Sequence, residues 1–182
     1  MTLDAALCAV VLVDYQTRLL PSIHAAERAV AHAVFLADVA REVGVPVYGT
    51  EENPDGLGRS DERIRARCRG TLAKLRFDGC GDGLVELLRR ERPVRQVVVA
   101  GCEAHVCLLQ TPLGLLRAGL GVFVVPDACG SRRERDKALA MERLRQAGVV
   151  LASPEMIAFE WLATCAHPRF RDVLRLVKAL PA

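Results

Sequence analysis

A cysteine stands where an apolar, β-branched run gives way to a helical pattern. The run Val97-Val98-Val99 predicts a buried strand, and Cys107 begins a stretch with apolar residues at helical spacing. A thiol at the N-terminus of a helix meets unpaired N–H groups and the positive end of the helix dipole, which favour the thiolate. Cys107 is therefore the candidate nucleophile of a cysteine enzyme. The position is equally compatible with a packed, unreactive thiol.

Two charged residues elsewhere in the chain have the chemistry to serve such a thiol. Asp14 follows the apolar run Val11-Leu12-Val13, so it lies at the carboxyl end of a predicted strand. A carboxylate at that edge of the sheet can accept a proton as a general base. Lys74 lies between apolar neighbours, and an ammonium in a partly apolar cleft stabilises a thiolate or an oxyanion. Each also has an ordinary alternative, because aspartate caps turns at strand ends and lysine stems cover apolar surface.

The turn before Cys107 contains Glu103, Ala104 and His105. Backbone N–H groups of this turn are candidates for an oxyanion hole, whatever their side chains are. His105 is also a possible acid or base, but a side chain two residues before a nucleophile often points elsewhere. We therefore assign the three residues to substrate and oxyanion binding.

Short β-branched runs alternate with amphipathic stretches along the whole chain, which predicts an α/β fold built on a parallel sheet. Six strands are predicted at 8–13, 45–50, 71–74, 95–100, 122–125 and 149–151, and the main helices at 23–43, after Asp82, from Val106, at 132–147, from Ser153 and at 167–180. The pattern predicts a doubly wound sheet in the order 3-2-1-4-5-6, with helices on both faces. The chain contains no repeat or linker, so we expect one domain over residues 1–182.

This strand order makes a prediction about the candidate residues. The crevice of such a sheet lies where strands 1 and 4 part. Asp14 follows strand 1 and Cys107 follows strand 4, so residues far apart in sequence are expected to meet there. Lys74, at the end of strand 3, is expected to approach from the same edge.

Composition and charge exclude several classes of function. The net charge is +3, and the arginine-rich stretches are mixed with acidic residues and few aromatics, which argues against a nucleic-acid partner. No apolar run reaches the about 18 residues of a membrane span, so no membrane partner is expected. The N-terminus lacks the basic stretch and cleavage site of a secretory signal, which predicts a cytoplasmic protein.

The remaining cysteines and histidines do not form a recognisable metal motif. The chain has seven cysteines without a CxxC pair and four histidines without HxH or HxxxH spacing. We therefore predict neither a metal nor another cofactor. Cys102 is expected to be structural, although a redox role for Cys107 with Cys102 or Cys129 as its partner remains an alternative.

Several stretches together resemble the isochorismatase-like cysteine hydrolases, and more closely their isochorismatase-domain-containing subgroup. The stretches are Gly101-Cys102-Glu103-Ala104-His105-Val106-Cys107 with Gln110-Thr111; Thr50-Glu51 with Gly56-Leu57-Gly58; Pro126-Asp127-Ala128 with Ser131-Arg132; and His167-Pro168-Arg169-Phe170. The likeness extends over nearly the whole chain. It implies a catalytic triad of Asp14, Lys74 and Cys107, a cis peptide between Cys102 and Glu103, and a homo-oligomer.

The chain departs from two activities known in that superfamily. Nicotinamidases carry zinc ligands that include histidine, and the stretch Glu51-Glu52-Asn53-Pro54 after strand 2 has none. Isochorismatases act on a vinyl ether without a cysteine nucleophile, so the presence of Cys107 argues against that reaction. Neither activity is therefore expected.

The sequence predicts a hydrolase that attacks a small amide-like substrate with Cys107 and passes through a thioester. The alternative is a catalytically silent binding or scaffold protein that keeps the fold. The pocket is expected to be lined by a mixed set of residues, namely Tyr15, Leu19, Glu51, Leu57 and His105. This set does not single out one compound. Phe159 and Trp161 are candidate interface aromatics, with ordinary core packing favoured for Trp161.

Overall fold

Six parallel strands form the centre of the protein, in the order β3-β2-β1-β4-β5-β6. A computed structural model describes residues 2–180. The strands are β1 Cys8–Val13, β2 Val47–Glu52, β3 Gly70–Lys74, β4 Gln96–Gly101, β5 Gly121–Val124 and β6 Val150–Leu151. The predicted fold class and strand order are confirmed.

Helices surround the sheet and form two packed groups. Their bounds are α1 Ala26–Glu42, α2 Pro54–Leu57, α3 Glu62–Arg65, α4 Leu84–Arg89, α5 Cys107–Arg117, α6 Glu134–Gln146, α7 Pro154–Leu162 and α8 Phe170–Ala179. Helix α1 packs against α7 and α8, and α5 packs against α6. The connection through α1 runs towards β3 and those through α5 and α6 run towards β6, so right-handed crossovers place them on opposite faces. Within residues 2–180, no helix is long and apolar enough to span a membrane.

The two central strands are apolar along nearly their whole length because both of their faces are covered. Every residue of β1 and β4 is buried, and the run Val97–Ala100 has no exposed surface. Parallel sheets covered on both faces characteristically show such continuous apolar runs instead of alternation. The charged residues that follow these strands therefore emerge from the centre of the protein.

The strands β1 and β4 approach each other closely at their carboxyl ends. Val13 pairs with Gly101, and a Cβ atom at position 101 would lie 2.3 Å from the Val13 carbonyl oxygen. Only glycine fits such a contact without movement of the backbone. The next amide, of Cys102, donates to the same oxygen at 2.9 Å. The peptide between Cys102 and Glu103 is cis, as the family resemblance implied.

Several predicted boundaries differ from the structure, and three of the differences have a visible cause. Strand β2 ends at Glu52 rather than at residue 50, because its pairing with β3 continues to Lys74. Helix α1 begins at Ala26 rather than at residue 23, since Ala25 has a left-handed backbone with φ of 52°. Asp82 is not the N-cap of α4. Its carboxylate instead accepts hydrogen bonds from the backbone amides of Leu75 and Arg76, which follow Lys74.

Candidate active site

The structure brings Asp14, Lys74 and Cys107 together at the carboxyl edge of the sheet. Asp14 follows β1, Lys74 is the last residue of β3, and Cys107 is the first residue of α5. Lys74 Nζ donates to Asp14 Oδ2 at 2.8 Å, and Cys107 Sγ lies within 4.8 Å of an Asp14 carboxylate oxygen. Asp14 has no exposed surface, while Lys74 is 2% and Cys107 6% exposed. The expected convergence therefore occurs in a nearly closed site.

Asp14 is held by its backbone and by both of its carboxylate oxygens. Its φ of 53° lies in the left-handed region, which turns the chain out of β1. The Thr50 hydroxyl donates to Asp14 Oδ1 at 2.6 Å, and Lys74 occupies the other oxygen. The carboxylate is thus fixed in one orientation beside the thiol.

A second carboxylate in the site, that of Glu52, was not among the predicted site residues. Lys74 Nζ donates to Glu52 Oε2 at 2.8 Å, the same distance as to Asp14. The predicted pocket residue Glu51 faces the other way, and its Oε1 accepts the Ser60 amide at 2.7 Å. Successive side chains of a strand point to opposite faces, so the extension of β2 puts Glu52 on the same side as Thr50. The hydrogen bond from Ser60 ties Glu51 to the segment around that residue, and the contact of Glu51 with a substrate stays a prediction.

The side chain of Gln16 fixes the backbone of Glu52. Its Oε1 accepts the Glu52 amide, and its Nε2 donates to the carbonyls of Glu52 and Gly58, at 2.9, 2.9 and 2.6 Å. Gln16 was not among the predicted site residues. Its position could have indicated it, because Gln16 is a polar residue two positions after Asp14 and next to the predicted crevice.

Burial and neighbouring charges set the protonation of the site. Burial lowers the pKa of Lys74, but the charge and hydrogen bond of Asp14 and the bond to Glu52 outweigh it, so the pKa is raised and the ammonium persists. Burial and then the Asp14 charge raise the pKa of Cys107 to about 12, although Lys74 acts in the opposite direction. These effects oppose the helix N-terminus, which favours the thiolate. They favour a protonated Cys107 at neutral pH.

A thiolate signal from Cys107 is expected only in strongly alkaline solution. Because the pKa is raised to about 12, the protonated form dominates at neutral pH and the ionised fraction grows as the pH rises. The measurement is the ultraviolet thiolate absorbance of the wild-type protein minus that of Cys107→Ala, titrated from neutral to alkaline pH. A difference signal that is already complete near neutral pH would contradict the expectation.

Some amides of the turn before Cys107 are already engaged. The Ala104 amide donates to the Gly130 carbonyl at 2.7 Å, and the Val106 amide donates to the Glu103 carbonyl at 3.0 Å. Within residues 2–180, the amides of His105 and Cys107 have no hydrogen-bond acceptor. The candidate oxyanion donors are therefore these two amides, and Ala104 is removed from that role.

The side chains of Glu103 and His105 each have a protein partner. The Glu103 carboxylate accepts two hydrogen bonds from the Arg132 guanidinium, at 2.7 and 3.1 Å. His105 Nδ1 lies 3.0 Å from the Ser131 hydroxyl. Both side chains thus connect the turn to the segment that leads into α6.

The other predicted pocket residues lie in different surroundings. Tyr15 is fully buried, its hydroxyl donates to the Ala128 carbonyl, and burial raises its pKa well above the usual value. Tyr15 is thus a core residue, and its assignment to the pocket was wrong. Leu19 is half-buried against the core, and Leu57 is half-buried in α2. Their contact with a substrate stays a prediction.

The two cysteines considered as redox partners are sealed in the core. Cys102 has no exposed surface and Cys129 is 2% exposed. Neither forms a disulfide, and burial raises the pKa of both thiols. Redox chemistry favours exposed thiols with a low pKa, so these surroundings do not favour it.

The donor atoms of Asp14, Glu52 and Cys107 lie within 4.8 Å of one another, which is a spacing that a metal ion could bridge. The Lys74 ammonium already lies 2.8 Å from both carboxylates. A metal ion bound between the same two carboxylates would compete with this ammonium for their oxygens. The site as it stands is therefore an ion cluster with its own cation.

A family model for the isochorismatase domain matches residues 8–156. The chain belongs to the isochorismatase family. Isochorismatase domain-containing protein 2 from Pongo abelii is 37% identical over 171 residues, which cover 92% of this chain and 81% of that protein. The human protein of the same name is 36% identical, with the same two coverages. These names state no substrate, so family membership supports a hydrolase and leaves its specificity open.

Solved structures show the same fold. A structure described as MAR1 ribonuclease from Caenorhabditis elegans has a TM-score of 0.93 at 29% identity, covering 100% of this chain and 95% of that one. YcaC from Escherichia coli, described as an octameric hydrolase of unknown specificity, has a TM-score of 0.85 at 23% identity, with coverages of 100% and 98%. The isochorismatase-like arrangement thus extends over the whole chain.

Proposed function

We propose that the protein is a cysteine hydrolase that cleaves a small amide-like C–N bond through a thioester intermediate. The observation that carries this proposal is the contact of a carboxylate, an ammonium and a thiol in one nearly closed site, formed by Asp14, Lys74 and Cys107. A base next to a thiol is the usual arrangement for nucleophilic attack on a carbonyl carbon.

In the first step, Asp14 accepts the proton of Cys107 while the sulfur forms a bond to the carbonyl carbon. The carbonyl oxygen becomes an oxyanion and accepts hydrogen bonds from the amides of His105 and Cys107. Because the resting thiol is protonated, the proton transfer and the attack are coupled. A base within hydrogen-bond reach is therefore required.

In the second step, the tetrahedral intermediate collapses and its C–N bond breaks. Asp14 returns the proton to the leaving nitrogen, so an amine departs and a thioester remains on Cys107. Water then attacks the thioester, Asp14 takes a proton from that water, and the S–C bond breaks. The products are a carboxylic acid and the amine, and the protonated Asp14 restores the thiol.

Lys74 contributes by charge rather than by proton transfer. Its ammonium holds Asp14 in place and attracts negative charge as it develops on the sulfur and on the carbonyl oxygen. The water-poor surroundings strengthen this attraction, because little solvent screens it. Lys74 is thus proposed as an electrostatic catalytic residue.

We also propose that the chain forms a homo-oligomer. Val150, Met156 and Phe159 are apolar and 38%, 50% and 41% exposed, and they belong to the outermost strand β6 and to helix α7. The similar fold of YcaC is described as octameric. Trp161 is 3% exposed, which confirms the prediction of core packing for this residue. A cytoplasmic location stays a prediction.

The proposed function is tested with a panel of small amides and ureas, each incubated with purified protein. We expect release of an acid and an amine from at least one compound, and mass spectrometry of a quenched reaction is expected to find the acyl group on the Cys107 peptide. An RNA oligonucleotide serves as a further arm, because the C. elegans structure is described as a ribonuclease. Cleavage of RNA alone, or an acyl group on another cysteine, contradicts the proposal. No turnover and no adduct across the panel favours the silent scaffold.

A further inference from the structure

Glu52 contributes a carboxylate oxygen that the proposed mechanism does not use. The residue is 9% exposed, and its Oε2 accepts the hydrogen bond from Lys74. Within residues 2–180, Glu52 Oε1 has no hydrogen-bond partner. It is nevertheless not sealed from solvent, because the only unpartnered side-chain polar atom that is sealed in this part of the chain is Trp161 Nε1. Glu52 Oε1 therefore retains some solvent exposure, and a Glu52 carboxylate oxygen lies within 4.8 Å of Cys107 Sγ. A largely buried carboxylate oxygen without a protein partner is free to accept a hydrogen bond from a ligand.

The charges around the thiol do not balance. One ammonium, that of Lys74, faces the two buried carboxylates of Asp14 and Glu52. The neighbouring Glu103 does not add to the excess, because Arg132 pairs with it. The cluster therefore carries one uncompensated negative charge within 4.8 Å of Cys107 Sγ.

The position of this charge is fixed before any substrate binds. The amide and the carbonyl of Glu52 are both held by the Gln16 side chain, and its other oxygen is held by Lys74. A preorganised charge attracts a complementary group without the cost of ordering the side chain.

We propose that Glu52 is a specificity residue and that its Oε1 binds a protonated amine of the substrate. This inference rests on the proposed hydrolase and adds a substrate class: small amides with an ammonium group close enough to the scissile carbonyl to reach Glu52 while the carbonyl carbon contacts the sulfur. A Glu52 carboxylate oxygen lies within 4.8 Å of Cys107 Sγ. An ammonium there also supplies the charge that the cluster lacks.

The test measures the reaction of Cys107 with charged thiol reagents, so it does not depend on turnover. Wild-type protein is treated separately with aminoethyl, methyl and sulfonatoethyl methanethiosulfonate, which are cationic, neutral and anionic. Mass spectrometry follows the modification rates of the Cys107 and Cys165 peptides in the same sample. Cys165 is exposed and serves as the internal reference. We expect the ratio of the cationic to the anionic rate to be about tenfold higher at Cys107 than at Cys165.

The matched variants are Glu52→Gln and Glu51→Gln. Removal of the charge at position 52 is expected to lower the cation preference of Cys107 about tenfold, with no change at Cys165. Glu51→Gln is expected to leave the preference unchanged, because that side chain binds the Ser60 amide on the opposite face. Circular dichroism and thermal melting verify that both variants are folded.

The preference of the wild-type protein decides the matter even if Glu52→Gln does not fold. If the ratio of the cationic to the anionic modification rate is equal at Cys107 and Cys165, Glu52 is not a cation-binding residue. An unchanged ratio at Cys107 in folded Glu52→Gln leads to the same conclusion. Failure of the amide panel with a high cation preference would count against the hydrolase and leave the cation-binding carboxylate in place. Turnover of neutral amides without a cation preference at Cys107 would support the hydrolase and count against the cation-binding role of Glu52.

Discussion

Replacing Cys107 with alanine is expected to abolish amide hydrolysis and to remove the acyl adduct. Without the sulfur no thioester forms, and we expect a loss of kcat of about three orders of magnitude or more. Cys102 and Cys129 cannot take over, because both are sealed in the core. The measurement is turnover of the best substrate of the panel, together with mass spectrometry of the quenched reaction.

The matched control for this variant is Cys165→Ala. It removes an exposed thiol far along the chain and is expected to leave the turnover and the acyl adduct unchanged. Turnover by Cys107→Ala within a few-fold of the wild-type rate would show that the sulfur is not the nucleophile. A thermal melt separates this result from loss of the fold.

Replacing Asp14 with asparagine is expected to lower kcat about 10²- to 10⁴-fold, since the amide cannot accept the thiol proton. The fold is expected to survive for two reasons. Asparagine tolerates the left-handed backbone at position 14, and Lys74 keeps its partner Glu52. Steady-state kinetics of the variant against the wild-type protein, at equal folded fractions, give the ratio.

The control for Asp14→Asn is Thr50→Val, which removes the hydroxyl that donates to Asp14 Oδ1. This variant keeps the base and loses one hydrogen bond that orients it, so a smaller decrease in kcat is expected. If Asp14→Asn and Thr50→Val decrease kcat equally, Asp14 acts only as part of the scaffold. A wild-type rate in Asp14→Asn would assign the base to another group.

The convergence of Asp14, Lys74 and Cys107 was predictable because strand order is encoded in local pattern. Apolar runs identify the strands, and the doubly wound order then places the ends of β1, β3 and β4 at one edge. No detail of side-chain packing is needed for this step. The family resemblance gave the same three residues independently and added the cis peptide after Cys102.

The role of Glu52 was not predictable in the same way. The expected strand ended at residue 50, so both glutamates were treated as loop residues, whose side chains have no defined face. The actual end of β2 depends on pairing with β3, a long-range contact that the local pattern does not contain. Tyr15 follows the left-handed Asp14, and its direction likewise depends on that backbone turn.

Two opposing effects act on the pKa of Cys107, and only one of them is visible in the sequence. A helix N-terminus is visible in the sequence, and its effect on a thiol has a known sign. Burial of the thiol and the approach of the Asp14 carboxylate depend on the folded site, and both raise its pKa. The local effect and the tertiary effect oppose each other here, and the tertiary effect is larger.

The contact between Gly101 and the Val13 carbonyl connects sheet stability with proton transfer. These two residues immediately precede the segments that contain the proposed base and the proposed nucleophile. Any bulk at position 101 would push the two strands apart and lengthen the path from the sulfur to the carboxylate. Substitution of this glycine is therefore expected to loosen the centre of the sheet before it changes the reactivity of Cys107.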